Sequence, residues 1–357
     1  MQSTLTINGI PVGHDAPVFI IAEAGVNHDG SAEKARQLLV AAHEAGARCV
    51  KFQTFKAENL LAENAPKADY QLETTDPTES QMEMLRRLEL KPDDYISLLK
   101  YAEEKDIVLL STPYNIEDVD LLDDLGMPAF KLASMHLPEP SFLRYVAQKG
   151  KPMIVSTGMA TMEEVEEGMA AIRSTGNDQV ILLQCTTNYP ALIEETNLLA
   201  MHTLREAFDV RVGYSDHTTT DTACIGAVAL GACLIEKHFT LDRSAPGPDH
   251  AASVDPAGFE MLVQRIREAE AMRGDGRKIP TPAEKKNARG MRRSIYTRTH
   301  IEKGTVITPS MLTFKRPGTG LPPWHFDALM GEVALRDIPP NTPFSLDMVA
   351  QRATALV

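Results

Sequence analysis

The amino-acid sequence predicts an α/β protein, a (β/α)8 TIM barrel followed by a small β-rich C-terminal domain. Three observations predict it. Eight short apolar, β-rich runs recur across residues 18–240, each followed by a helical segment. Runs buried on both faces and alternating with helices make a parallel sheet, and eight of them suggest closure. Polar residues also recur at the carboxyl end of run after run, as a ring of active-site loops requires. Apolar periodicity then stops in the basic segment GDGRKIPTPAEKKNARGMRR, and about sixty residues of short β-runs and turns follow. A doubly wound open sheet is the alternative, but no GxGxxG follows the first run.

A short β-like lead-in precedes VFIIAEAGVNHDG, whose apolar run ends in Glu23 and is followed by Asn27, His28, Asp29 and Gly30. Ser31 is the N-cap of the amphipathic helix AEKARQLLVAAHEAG, which closes at Gly46. Strand CVKFQTF carries Lys51 and Gln53, IVLLSTP ends in Ser111 and Thr112, and AFKLAS carries Lys131 and Ser134. PMIVSTG contributes Ser156, and VILLQCTTNYP ends in Thr187, Asn188 and Tyr189. Residues 57–106, between the second and third runs, exceed what one helix needs. Their polar middle, ENAPKADYQLETTDPTESQ, reads as a loop inserted near the barrel mouth, a candidate lid. The last barrel helix, DPAGFEMLVQRIREAEAMRG, has Asp255 as cap and Pro256 in its first turn. The expected division is a barrel over residues 1–280, a linker over 281–292 and the β-rich domain over 293–357.

The stretch VGYSDHTTTDTACIGAVALGACLIEKHFT reads as strand, polar turn, helix, strand. Its two histidines, His217 and His238, are 21 positions apart, so only a βαβ layout makes them neighbours, at the same end of adjacent strands. A lone strand-end histidine is usually a hydrogen-bonding cap. Two at equivalent strand ends, each beside a carboxylate, favour a divalent metal or catalytic duty.

Charge and composition narrow the partners. A formal net charge of −13 argues against nucleic acid or an anionic membrane. The four cysteines show no CxxC pairing and read as free buried thiols of a reducing compartment. The N-terminal stretch resembles no signal peptide and no run approaches ~18 apolar residues, so a cytoplasmic location is expected.

The strand ends are expected to turn inward Glu23, Lys51, Gln53, Thr112, Lys131, Ser134, Ser156, Thr187, Asn188, Tyr189, Ser215, His217, Glu236, Lys237 and His238. Several lysines among hydroxyls suit a phosphate or carboxylate. Carboxylates and imidazoles beside them suit a divalent ion that polarises a carbonyl. The combination favours carbon–carbon bond formation over simple hydrolysis. A Schiff-base aldolase using Lys51 or Lys131 is the rival.

The segments IAEAGVNHDG, VKFQTF, LLSTP, FKLAS, GKPMIVSTGM, CTTNYP, GYSDHT, GAVALGACLIEKHFTLDR, GPDH and KRPGTG carry a family likeness. In them the chain resembles, over essentially its whole length, the sialic acid synthase family. Those enzymes condense phosphoenolpyruvate with N-acetylmannosamine or a related amino sugar. The resemblance implies a (β/α)8 barrel with a C-terminal antifreeze-like (SAF) domain, in a homodimer whose tail domains each cover the partner's barrel mouth. It implies that His217 and His238 hold a divalent ion, Mn2+ or Mg2+. It further implies that Lys51, Thr112, Lys131, Ser134, Ser156 and Ser215 bind phosphoenolpyruvate, with Thr187 at the place of a phosphate-side asparagine in some relatives. Gln53, Tyr189, Glu236 and Asp249 would serve the sugar side, Arg316 would reach the sugar's acyl-amino group from the other subunit, and Glu23 would handle a water proton. His136 stands where many relatives carry an acidic residue on the sugar side. NYPALIEETNL and GPDHAAS resemble the legionaminate branch, whose acceptor is a 2,4-diacetamido-2,4,6-trideoxy hexose. The pseudaminate branch is less apt, and a non-catalytic coat-assembly protein is the remaining alternative.

Overall fold

The computed structural model describes residues 5–350. The chain divides into two compact units after Gly274. In the first, a hairpin of β1 (Leu5–Ile7) and β2 (Ile10–Val12) leads into eight parallel strands. These are β3 (Phe19–Gly25), β4 (Cys49–Thr54), β5 (Val108–Pro113), β6 (Phe130–Leu132), β7 (Met153–Ser156), β8 (Val180–Cys185), β9 (Arg211–Asp216) and β10 (Leu234–His238). They form one sheet in the order β5-β4-β3-β10-β9-β8-β7-β6, and β5 and β6 lie side by side to complete the ring.

Strand parity decides which side chains enter the barrel, because successive residues point to opposite faces. Phe19, Ile21, Cys49, Leu110, Ile154, Leu183 and Leu234 belong to one apolar cluster with Leu5, Ile7 and Val12 of the hairpin, which fills the barrel floor. The alternate residues, such as Ile20, Val50, Leu109, Val155 and Ile235, pack with the helices instead. Counting on by two from the floor residues puts Glu23, Lys51, Thr112, Ser156 and Glu236 inside, at the carboxyl ends of the strands.

The same parity corrects Lys237, expected among the inward set. It points outward and is fully buried, its ammonium 2.7 Å from Asp216 Oδ2, also fully buried. It donates further to the carbonyls of Thr218 and Thr220. It is a structural cation under the loop that follows β9.

Helix Ala32–Glu44 starts at Ser31, whose hydroxyl accepts from Lys34 N–H, and Gly46 follows it at φ +89°. Helix Pro256–Arg273 is capped by Asp255 and ends at Gly274. The 57–106 segment, whose polar middle reads as an inserted loop, is more helical than that reading. It holds short helices at Ala57–Leu60, Asp69–Thr74 and Gln81–Arg87 before the barrel helix Pro92–Glu104. The capping box of Ser80 with Glu83 gives the third a start that composition alone hid. All four cysteines are free and buried, and among the described residues no helix is long and apolar enough to cross a membrane.

In the second unit, residues 281–292, expected as linker, contain the helix Pro282–Met291. Thr281 and Glu284 form its capping box and outweigh the Gly/Pro-bearing, basic composition. Antiparallel pairs Ser294–Thr297 with Leu312–Lys315 and Val333–Ala334 with Val349–Ala350 surround a core of Ile295, Ile301, Ile307, Leu312, Ile338 and Phe344. That small core carries the β-rich character expected of the tail.

Candidate active site

The carboxyl ends of the barrel strands open into a cavity of about 370 Å³. Glu23, Lys51, Gln53, Thr112, Lys131, Ser134, Ser156, Tyr189, Ser215, His217, Glu236, His238 and Asp249 all line it. These side chains come from seven strands and from the segments that follow β6, β8, β9 and β10, and the sequence separates them by up to 226 positions between Glu23 and Asp249.

Two buried lysines dominate the electrostatics. Lys51 Nζ lies 2.6 Å from Glu23 Oε2 and donates to Thr112 Oγ1 at 2.9 Å. Lys131 Nζ donates to Ser156 Oγ at 2.8 Å and lies 3.5 Å from Glu236 Oε1, which also accepts from Ser215 Oγ at 3.0 Å. Burial pulls the Lys131 ammonium below its ordinary value, against the Glu236 carboxylate. Burial acts on Lys51 in the same direction, but Glu23 and Glu236 outweigh it and raise its pKa. The Glu23 carboxyl is pushed up to about 7 by burial, with Glu236 adding to the rise and Lys51 opposing it. Gln53 bridges Glu23 to Tyr114: its Nε2 donates to Glu23 Oε1 at 3.1 Å and its Oε1 accepts from the Tyr114 hydroxyl at 3.0 Å.

The imidazoles of His217 and His238 stand with centroids 5.4 Å apart, and the Tyr189 ring packs on both. His217 Nδ1 is 2.6 Å from the Thr186 carbonyl and so carries the proton that it donates, leaving Nε2 as the basic nitrogen. Burial lowers the pKa of both, and of His238 further through His217, which keeps both rings neutral. His238 Nδ1 is buried without a hydrogen-bond partner, 3.6 Å from Asp249 Oδ2. Burial pushes Asp249 up to about 6. Neutral rings, one oriented by a carbonyl and one with an orphan nitrogen, fit a divalent ion. Among the described residues no group of three or more metal-ligating side chains gathers around them, so two imidazoles would be the protein's share.

Loop packing explains how Asp249 reaches the cavity. Asn27 donates to the Phe239 carbonyl and to Ser253 Oγ, both at 2.9 Å, and Ser253 Oγ donates to the Asp249 carbonyl at 2.6 Å. His250 Nε2 meets Asp29 Oδ1 at 3.1 Å. The NHDG and GPDH segments, 220 residues apart in sequence, thus clamp one another. At Gly25, φ +50°, a Cβ would sit within 3.3 Å of the Asp249, Gln53 and Glu23 side chains.

Two expected residues lie elsewhere. Thr187 lines a neighbouring cavity with Thr157 and Met159 rather than this one. It follows the end of β8, where strand parity no longer predicts direction. His136 is 1% exposed and does not line the cavity; it packs on Phe142 and Tyr114, with Nδ1 3.3 Å from Glu139 Oε2. The short 3-10 turn Ser134–His136 carries its ring behind Tyr114. Arg316 belongs to the second unit. Conversely, sequence reasoning missed Tyr114, Cys185 and Gln81 as lining residues, and Gly158, whose N–H donates to Ser134 Oγ at 3.0 Å. A Cβ on Gly158 would strike Thr187 Oγ1 and come within 2.8 Å of Ser134 Oγ and 2.9 Å of Cys185 Sγ. The STG tripeptide was the available signal, since a glycine just past a strand end often marks close approach.

A model of the NeuB family matches residues 38–278, and one of the SAF domain matches residues 292–350. The N,N'-diacetyllegionaminic acid synthase of Campylobacter jejuni is 43% identical over 321 residues, spanning 89% of this chain and 96% of its own. The protein of the same name from Legionella pneumophila is 42% identical over 336 residues, spanning 93% and 94%. Among solved structures, the N-acetylneuraminic acid synthetase of Leptospira borgpetersenii is similar at a TM-score of 0.73 and 30% identity, over 80% of this chain and 95% of that one.

Proposed function

Because this chain belongs to the NeuB family and carries a SAF domain, we propose that it is a nonulosonic acid synthase. It joins phosphoenolpyruvate to the open-chain form of an N-acetylated amino sugar, N-acetylmannosamine or 2,4-diacetamido-2,4,6-trideoxymannose, and releases phosphate. The observation that carries this reading is the pair of buried lysines with their hydroxyls, Lys51 with Thr112 and Lys131 with Ser156, in the same cavity as the adjacent imidazoles of His217 and His238.

In the proposed reaction, Lys51, Lys131 and the hydroxyls of Thr112, Ser134, Ser156 and Ser215 bind the phosphate and carboxylate of phosphoenolpyruvate. Buried ammonium groups already held by carboxylates are fixed donors, and charge-assisted bonds to an anion are the strong ones in a dry site. His217 and His238 would hold a divalent ion, which when bound polarises a carbonyl oxygen. Gln53, Tyr189 and Asp249 orient the sugar. The C2–C3 π electrons of phosphoenolpyruvate form the new bond from C3 to the sugar's aldehyde carbon. The aldehyde C=O π bond opens so that its oxygen takes up a proton and becomes a hydroxyl, and C2 is left cationic. Water then adds to C2, losing its proton to Glu23, whose pKa of about 7 suits transfer in either direction near neutrality. The tetrahedral intermediate collapses as its C2 hydroxyl becomes the ketone, the C2–O bond to the bridging oxygen breaks, and phosphate departs with that oxygen and the hydroxyl's proton. A homodimer whose tail domain brings Arg316 to the partner's sugar completes the proposal.

Phosphate release from phosphoenolpyruvate tests it. Release is expected only with an amino-sugar acceptor present, and is expected to stop with a chelator and return with Mn2+. Covalent inactivation by borohydride plus substrate, with chelator-resistant turnover, would instead establish the Schiff-base aldolase.

A further inference from the structure

The insertion after β4 builds the part of the cavity wall that barrel chemistry leaves unexplained. Leu60, Leu61 and Leu85 line the cavity beside Val26 and Phe55. This wall has its own foundation: Val26, Phe55, Met84 and Leu88 form a separate apolar cluster, against which Leu60, Leu85 and Tyr114 pack. Gln81, at the start of helix Gln81–Arg87, lines the same wall. Its Oε1 is buried and has no hydrogen-bond partner. A buried carbonyl oxygen left unpaired is rare in folded proteins and calls for a donor. Among the described lining residues the lysines are Lys51 and Lys131, both on barrel strands and both engaged with carboxylates; the insertion contributes no lysine or arginine.

We propose that Leu60, Leu61, Gln81 and Leu85 form the wall that selects the acceptor sugar, favouring an uncharged, N-acylated and deoxygenated one. This rests on the synthase reading above. An acylamino group supplies both things the wall lacks: an N–H to donate to Gln81 Oε1 and a methyl to cover the leucines. A sugar methyl in place of a hydroxyl suits the same surface, because a hydroxyl there would lose its water without gaining a partner. A sugar phosphate is disfavoured at this wall, because burying its charge against leucines meets no cation that the insertion supplies.

The test is steady-state phosphate release by the full-length protein with three acceptors: 2,4-diacetamido-2,4,6-trideoxymannose, N-acetylmannosamine and N-acetylmannosamine 6-phosphate. Wild-type kcat/KM is expected to favour the first over the second by about 10–100-fold, the range a hydrophobic pocket gives for such a change, and to fall furthest for the phosphorylated sugar. Gln81→Leu is expected to raise the acceptor KM at least about tenfold while KM for phosphoenolpyruvate stays within about twofold, since it removes one charge-free hydrogen bond on the acceptor side only. Leu85→Ala, a second variant, is expected to narrow the preference for the deoxygenated sugar. A merely structural role for Gln81 would move both KM values together. Wild-type preference for the phosphorylated sugar, or an acceptor KM unchanged in Gln81→Leu, would overturn the inference while leaving the synthase reading intact. No release by wild type with any acceptor would overturn the synthase reading and the inference with it.

Discussion

Lys237→Met is expected to destabilise the barrel without touching the cavity. The substitution removes the ammonium 2.7 Å from Asp216 Oδ2, in a pair with both side chains fully buried. Asp216 is not stripped of donors: it keeps the Thr218 N–H at 2.9 Å, the Tyr214 hydroxyl at 3.2 Å and the Cys224 thiol at 3.1 Å. What it loses is its counter-charge. Breaking a buried ion pair from one side costs about 3–5 kcal/mol, and the surviving neutral donors place Lys237→Met at the lower end, about 3 kcal/mol. Asp216→Asn leaves the ammonium with carbonyl oxygens and an amide, with no compensating charge, and belongs nearer the upper end, about 5 kcal/mol. Because each single change strands one partner, Asp216→Asn with Lys237→Met should cost less than the sum by about 1–3 kcal/mol. Urea denaturation followed by circular dichroism reads all three. A single-variant loss below about 1 kcal/mol, or strict additivity in the double variant, would refute a structural pair and return Lys237 to the candidates for substrate contact.

The other buried lysines should behave in the opposite way. Lys131→Met is expected to lower kcat/KM by about 10²–10³, the loss typical of one preorganised donor, while urea midpoints shift little, because its site faces a cavity that substrate and water can fill. Gly158→Ala pushes a methyl toward Thr187, Ser134 and Cys185; we expect KM for phosphoenolpyruvate to rise about tenfold or more, with the acceptor KM nearly unchanged, as separate saturation curves will show. His28 gives a pH signature of stability. Burial lowers its pKa from 6.5 to about 4, and its Nδ1 accepts from the Gly30 N–H at 3.0 Å. The unfolded chain therefore takes up a proton first, and stability is full above pH 6.5 and declines toward pH 4, by up to about 3 kcal/mol. His28→Asn, which keeps an acceptor for Gly30, should flatten that decline in urea titrations run across the window; an unchanged slope would count against the assignment.

The barrel was legible because its signals are local and repeated: apolar runs, alternating helices, and caps such as Ser31 and Asp255 that the structure uses as the sequence implies. Direction within a strand was not. Lys51, Lys131 and Lys237 each sit in a run buried on both faces, where no apolar-polar alternation marks inside from outside. Only the floor residues, once known, assign the parity that sends Lys51 and Lys131 inward and Lys237 outward. His136 and Thr187 fall beyond strand ends, where parity gives no guide. Gln81 and Tyr114 were invisible for a different reason: their place in the wall depends on how the insertion packs over Val26 and Phe55, a tertiary fact that periodicity does not carry. The Thr281–Glu284 capping box starts a helix inside a segment whose basic, Gly/Pro-bearing composition is that of a linker, because a local side-chain pair outweighs average composition.

The measurement that bears most directly on the proposed chemistry follows the bridging oxygen of phosphoenolpyruvate. Substrate labelled with 18O at that position is turned over with the preferred acceptor, and the released phosphate is examined by 31P NMR. Retention of the label in phosphate, with formation of a new carbon–carbon bond seen in the product's mass, is the predicted result. Unlabelled phosphate would place the break at P–O and contradict the account of water addition at C2 with Glu23 receiving the proton.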